Sequence, residues 1–240
     1  MTRRSSTGPT SRDDQRGPRL VPIPKADGAT RWLTRLDPAG DVEYRRAVTA
    51  VAGRIERSLG PEVLAPRARR SSEGWRLRPW PPARARWRAS LRVATDGAAP
   101  RIAFAVADVR DCFGSITPGV VERSLGPEAA RAVRVLRRLH DHGVHGLPVG
   151  PEPSAILANA ALRELDGALR VTGVAHVRWV DDLALWGSST DVRRGLDALN
   201  FAATRLGLEL HDGKTRILSD RDELRALTLE GRDSSIIAAP

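Results

Sequence analysis

The stretch His176-Val177-Arg178-Trp179-Val180-Asp181-Asp182-Leu183-Ala184-Leu185-Trp186 sets two adjacent aspartates inside a largely apolar run. Ionised carboxylates this close repel, so keeping both charged in a core needs a cation beside them. A hard metal ion is the economical choice. The flanks read as two short strands, 174–179 and 183–187, with the acidic pair at the turn, where a hairpin presents both carboxylates together. Taken alone, the pair is better read as a solvated turn, because Asp hydrogen-bonds its own backbone there. The rest of the chain decides between these readings.

A third acid closes the apolar run Ile102-Ala103-Phe104-Ala105-Val106-Ala107-Asp108, which reads as a buried strand ending on Asp108. In isolation Asp108 could equally cap the next helix. Between the acids lies Gly146-Leu147-Pro148-Val149-Gly150-Pro151-Glu152-Pro153-Ser154, whose glycines and prolines forbid regular structure. Ser154 is the predicted N-cap of a helix from Ala155 to Arg170. The predicted order is strand 102–108, helix 155–170, strands 174–179 and 183–187, helix 190–206, then strand segments near 208–210 and 215–218. An additional helical stretch, about 118–141, follows the first strand. This β-α-β-β-α-β order is the split βαβ or ferredoxin-like layout, an α+β fold with an antiparallel sheet and helices on one face. It makes the first strand a neighbour of the hairpin, and so brings Asp108 beside Asp181 and Asp182.

These residues carry a resemblance to reverse transcriptases. Asp108-Val109-Arg110-Asp111-Cys112-Phe113 resembles the first palm motif of that family, and Gly146 to Ser154 with its helix resembles the second. Trp179-Val180-Asp181-Asp182 resembles the Tyr-x-Asp-Asp box, and Gly207-Leu208-Glu209-Leu210-His211-Asp212-Gly213-Lys214-Thr215 the motif after it. Upstream, Pro24-Lys25-Ala26-Asp27-Gly28-Ala29-Thr30-Arg31 is similar to the fingers hairpin, so the match runs over 25–218. The style of Gly-Leu-Pro-Val-Gly-Pro and Arg-Trp-Val-Asp-Asp is most similar to bacterial retron-like and phage-defence reverse transcriptases. The resemblance implies a polymerase palm over 101–220 and a basic, fingers-like region over 21–100. It also implies a remnant at 221–240 where the family continues into a helical thumb. A thumb is therefore expected to be missing.

The chemistry implied is RNA-directed DNA synthesis on an RNA template and a DNA or RNA primer, with deoxynucleotides as substrates. Phosphoryl transfer demands charge neutralisation at phosphorus, which two Mg²⁺ ions about 3.5–4 Å apart supply. Mg²⁺ takes oxygen ligands and keeps water and phosphate oxygens, so a few carboxylates suffice. By resemblance, Asp108 and Asp181 are the principal ligands, Asp182 assists, and the Val109 carbonyl completes the set. Asp111 is assigned to the incoming nucleotide or to the surface. Phe113 falls where the family sets an aromatic ring against the nucleotide sugar, excluding a 2′-hydroxyl; a core phenylalanine is the alternative. Val149 and Gly150 fall in the nucleotide-binding loop, with Val149 where many members carry Gln, and Trp179 replaces the Tyr of the box.

Two of the 39 basic residues are lysines, Lys25 and Lys214, and both fall inside these motifs. A lysine can give up its proton where arginine effectively cannot, so Lys214 is the candidate general acid for the leaving pyrophosphate. Lys25 and Arg31 are the candidate triphosphate contacts of the fingers. Residues 1–100 hold 21 Lys/Arg against 10 Asp/Glu, whereas 101–240 hold 18 against 19, so the whole net charge of +10 lies in the first part. Its densest stretch, Arg67 to Arg88, interleaves eight arginines with Trp75, Trp80 and Trp87. Arginine supplies phosphate contacts and Trp a stacking surface, which makes Arg76, Arg78, Arg84, Arg86 and Arg88, together with Trp179, the candidate nucleic-acid contacts. A basic, Pro-rich linker is the alternative for this stretch.

Residues 1–20 read as a flexible basic tail with no apolar segment suited to a signal peptide. No run approaches the 18 or so apolar residues that span a membrane. The single cysteine, Cys112, excludes an internal disulfide and suits a cytoplasmic location. Two other classes remain open: a non-catalytic nucleic-acid-binding scaffold, and an untemplated terminal nucleotidyltransferase. A protein or structured-RNA partner in place of the thumb is a further expectation.

Overall fold

Strand β6 (Ala103–Asp108) lies at the heart of a five-stranded sheet in the order β3 (Val63–Ala65), β7 (Ala175–Trp179), β8 (Asp182–Gly187), β6, β9 (Arg216–Ile217). The structure is a computed structural model that describes residues 17–25, 28–96, 102–218 and 220–229. Strands β7, β8, β6 and β9 pair antiparallel in the ferredoxin-like order that the sequence predicts. Strand β3 pairs parallel with β7, so the sheet is mixed rather than wholly antiparallel. It comes from within the expected fingers region, and the amides of Arg178 and Val180 donate to the carbonyls of Glu62 and Ala65 across that edge.

Side chains alternate across each strand, and the two faces bury different layers. Ala105, Ala107, Leu183 and Leu185 face a core shared with α6 (Glu152–Thr172) and α7 (Ser189–Leu206). Helix α6 is buried almost all round from Pro153 to Leu162, and alanines at 155, 158, 160 and 161 let its neighbours approach closely. Phe104, Val177 and Ala184 face the other way, against Leu91 and Ala94 of α2 (Trp80–Asp96) and Leu224 of α8 (Arg221–Leu229). Helices therefore cover both faces, not one. The second layer was not legible because α2 reads locally as an Arg-rich, Pro-flanked segment, and only three of its residues are buried.

Before the sheet come the hairpin β1 (Arg19–Pro24) and β2 (Thr30–Arg35), helix α1 (Pro38–Ser58), and a second hairpin of β4 (Ala68–Ser71) and β5 (Gly74–Leu77). Of the tail expected over 1–20, residues 1–16 lie outside the described residues, while Arg19 and Leu20 already belong to β1. Asp37 caps α1 by accepting from the Gly40 amide at 2.8 Å, with Pro38 at the first helical position. Helix α1 packs on α6, and their buried contact is marked by a 3.0 Å hydrogen bond between the Tyr44 and Ser154 hydroxyls. Ser154 is therefore a core residue and not the predicted cap; α6 begins three residues before the predicted start, at Glu152 after Pro151. The predicted helix 118–141 is broken at Gly126-Pro127 into α4 (Pro118–Leu125) and α5 (Ala130–Asp141), joined by a 3-10 turn and preceded by the single turn α3 (Cys112–Ser115). The expected strand at 208–210 contributes one bridge, Leu210 to Val109.

Glu152, at the start of α6, ties the β4–β5 hairpin and α1 to that helix. Its carboxylate accepts from the Leu77 amide, from Arg45 at 2.8 Å and from Arg76 at 3.3 Å. Partial burial pushes its carboxyl up, but these donors outweigh it and leave the group below the usual carboxylate range. The loop before α6 is equally constrained. Gly146 has φ +64°, and a Cβ there would meet the carbonyl oxygens of Phe113 and Gly114 at 2.3 Å. Gly146→Ala is expected to destabilise the protein by about 2–4 kcal/mol, through backbone collision and a disfavoured φ. A denaturant midpoint equal to that of the wild type would show that the loop moves aside freely.

Candidate active site

The register of the sheet sets the site. Asp108, the last residue of β6, lies directly opposite Asp182, the first of β8. Cross-strand partners share a face with Cα atoms about 5 Å apart, so two acids distant in sequence become neighbours. Trp179 pairs with Asp182 to close a two-residue turn of Val180 and Asp181. Val180 has φ +56°, the pattern of a type II′ turn, whose first central position is normally glycine. A β-branched residue there costs roughly 1–3 kcal/mol and persists only where its surroundings enforce it. The three acids thus meet at one strained hairpin tip.

The segment after α7 is zipped onto the end of β6. The His211 amide donates to the Asp108 carbonyl at 2.8 Å, and the Arg110 amide to the Glu209 carbonyl at 2.8 Å. Exposed Arg110 adds ion pairs to Glu209 and Asp212. This pairing carries Lys214 to the site, where its ammonium lies 3.1 Å from Asp108 Oδ2. Lysine and acid, predicted separately, are thus brought together. Burial pushes the half-buried Asp181 carboxyl up to about 7; the charges of Asp182 and Asp108 add to the rise, and Lys214 opposes it. Cys112, buried beneath, has its thiol held well up by burial and then by Asp181, which keeps it protonated and inert.

The sign of the Asp181 shift makes a test. Its folded-state value lies above the unfolded one, so the folded state binds more protons across the window from about 4 to about 7. Its contribution to stability is full at the acid end and is lost as pH rises through that window. Relative to Asp181→Asn, the metal-free wild type is expected to fall in melting temperature from pH 4 to pH 7. A difference that did not vary with pH would place Asp181 in an ordinary aqueous environment.

The donor set is all oxygen, which suits a hard divalent ion such as Mg²⁺. Among the described residues no group of three or more His, Cys, Asp or Glu side chains forms a ready-made metal cage. A cation that retains water and phosphate oxygens does not need one. Burial is the main cause of the raised Asp181 carboxyl, but the repulsion from Asp182 and Asp108 that adds to it, and the ammonium drawn onto Asp108, mark the tip as a place that favours positive charge.

Other predicted residues fall as follows. Phe113 is half-buried, packed between the main core and the small cluster of Ala65, Trp179 and Val180. The Val149 carbonyl accepts from the Thr34 amide at 2.7 Å, and Gly150, with φ +114°, lies so close to β2 that a Cβ would meet Leu33 at 2.7 Å. That loop is thereby seated against the β1–β2 hairpin. Asp111 is exposed, in a left-handed conformation before α3. Exposed Lys25 and half-exposed Arg31 stand on the β1–β2 hairpin, whose residues 26–27 lie outside the described residues. Arg78, Arg86 and Arg88 are exposed and Arg84 half-buried, whereas Arg76 is engaged by Glu73 and Glu152.

The expectation for Trp179 needs correction. It is only 5% exposed and packs edge-on against Trp80, with ring centroids 5.2 Å apart, and against Trp87 at 6.4 Å. These rings anchor α2 to the hairpin and leave Trp179 no free face for a base. Sequence reasoning also missed Arg178, Asp166 and Asn159, which lie fully or almost fully buried under the tip. The signal was available: an arginine alternating with Val177 and Trp179 in a core strand must be paired.

No protein-family model matches this chain, and no curated protein matches it. Among solved structures it is similar to one titled an RdRp complex, with a TM-score of 0.54 at 9% identity, covering 84% of this chain and 20% of that one. It is also similar to the apo telomerase from Candida Tropicalis truncated from its C-terminal domain, with a TM-score of 0.52 at 10% identity, covering 89% of this chain and 51% of that one. The chain spans a fifth and about half of the length of these two neighbours. At such identities the likeness is one of fold: the mixed sheet and its helices have a polymerase-like arrangement. Among the described residues no helix is long and apolar enough to cross a membrane.

Proposed function

We propose that this protein is a nucleotidyltransferase of the reverse-transcriptase type, one that adds deoxynucleotides to a primer 3′-end on an RNA template. The observation that carries the reading is the β6–β8 register, which opposes Asp108 to Asp182 beside the Asp181 turn with Lys214 on Asp108. Two Mg²⁺ ions, when bound, would acidify the primer hydroxyl and neutralise charge at the transferring phosphorus. Asp108, Asp181 and Asp182, with the Val109 carbonyl, would hold them. Lys214 Nζ would give its proton to the leaving pyrophosphate oxygen. Lys25 and Arg31 would meet the triphosphate, and the exposed Arg78, Arg86 and Arg88 the nucleic-acid backbone. A cytoplasmic role in phage defence, with a protein or RNA partner gripping the duplex, extends the same reading.

The test is primer extension with purified protein, Mg²⁺ and deoxynucleotides on an RNA template, a DNA template and no template, beside Asp181→Ala/Asp182→Ala. Extension on RNA that disappears in the double variant is expected. Incorporation untouched by that variant would remove the catalytic reading, and equal extension without template would assign an untemplated transferase. The half-buried Phe113 supplies a further expectation. Phe113→Ala should let ribonucleotides compete about tenfold better, as loss of a steric contact worth 1–3 kcal/mol allows; an unaltered sugar preference would leave the ring to the core.

A further inference from the structure

Arg178 is the largest fully buried side chain among the described residues, and all three of its guanidinium nitrogens donate to buried acceptors. Nε and Nη2 donate to the two carboxylate oxygens of Asp166, both at 2.8 Å, while Nη1 donates to Asn159 Oδ1 at 3.0 Å and to the Val180 carbonyl at 2.8 Å. Asn159 in turn donates to the Pro66 carbonyl at 2.7 Å, next to Ala65, whose own carbonyl accepts from the Val180 amide at 2.7 Å. Both polar groups of the Val180 backbone are therefore gripped, one by the β3 edge and one by an arginine locked onto α6. Val180 is the residue held at φ +56°, and Asp181 follows it directly.

A neutral core side chain at 178 would fill the same space without a buried charge, so packing alone does not call for arginine. Its planar fork can hold a carboxylate with one edge and still donate elsewhere with the third nitrogen. We infer that Arg178, oriented by Asp166 and Asn159, is a positioning residue: it holds the strained Val180 turn and so sets where Asp181 stands relative to Asp108 and Asp182. The functional half of this inference rests on the polymerase reading of those acids. The conformational half rests on the hydrogen bonds alone.

The two halves are tested together. In Arg178→Met/Asp166→Leu both charges are replaced by apolar groups of similar size, which keeps the core filled. That variant is expected to fold, to lose amide-exchange protection at Val180, and to lose about 100-fold in kcat with the KM for deoxynucleotide little changed, as misplacement by about an ångström does. Adding Val180→Gly, which adopts positive φ without strain, is expected to restore about tenfold of that loss. A purely structural arginine would give no such rescue. Arg178→Lys is the second variant should the pair not fold; it keeps the charge but cannot span Asp166 and Val180 at once, and the same losses are expected in smaller measure. Unchanged exchange at Val180, or a folded variant with wild-type kcat, overturns the inference. If the wild type incorporates no nucleotide, the polymerase reading fails by itself, and the exchange measurement still decides the role of Arg178.

Discussion

Asp108→Asn is expected to lower nucleotide incorporation by about 10³-fold while leaving the metal-free protein as stable as the wild type, or more so. Asparagine keeps the shape of the side chain and removes one of three negative charges gathered at the hairpin tip. The repulsion it removes contributes to the raised Asp181 carboxyl. What it gives up is the pair with Lys214, in which the lysine side chain is 41% exposed but that of Asp108 only 9%, so the loss lies at the upper end of the range for surface pairs, about 1 kcal/mol. Relief of repulsion is of the same order or larger, so the balance does not favour unfolding. Catalysis has no such compensation, because an amide does not replace a carboxylate toward a divalent ion. Primer extension and a melting curve on one preparation check both halves; a variant that retained more than about a tenth of wild-type incorporation would remove Asp108 from the chemistry.

Arg178→Met, as a single change, is expected to be among the most destabilising substitutions in the chain, at about 3–5 kcal/mol. Asp166 and Arg178 are both completely inaccessible, so the change strands a buried carboxylate together with Asn159 Oδ1 and the Val180 carbonyl. Replacing Asp166 as well removes the stranded charge, leaving about 1–3 kcal/mol for the two neutral acceptors that lose a donor. Urea midpoints for the single and paired variants therefore separate the burden of an unpaired charge from that of the lost hydrogen bonds. Equal midpoints would mean that water reaches Asp166 once Arg178 is gone.

These two expectations differ in how far the sequence foretold them. The acids were legible because their signals are local: a core strand ending on Asp108, and a doubled Asp between two short apolar runs. Lys214 was legible through rarity, as one of two lysines among 39 basic residues. The interleaved tryptophans misled for the same local reason. Trp75, Trp80 and Trp87 read as part of an aromatic, basic surface, yet Trp80 and Trp87 turn inward against Trp179, while Arg78, Arg86 and Arg88 remain outside. A helix with few buried residues carries too weak a periodicity to announce which side it hides. The Ser154 cap failed similarly, since Pro151 and Pro153 allow the helix to start early and the hydroxyl is drawn to Tyr44 by α1, a partner more than a hundred residues away.

By itself the sequence determined the β-α-β-β-α order of the central elements, the acids and the lysine that stand at the ends of its strands, and the concentration of positive charge in the first hundred residues. Strand periodicity, turn chemistry and composition act over a few residues, and a chain carries them whether or not it is folded. Only the tertiary structure decided that Asp108 faces Asp182 rather than a neighbour two positions away, that β3 joins the sheet in parallel, and that helices cover both faces. Only it showed that Val180 is held in a strained turn by a buried arginine. Register, face and buried pairing depend on contacts between segments far apart along the chain, and those contacts exist only once the layers have packed.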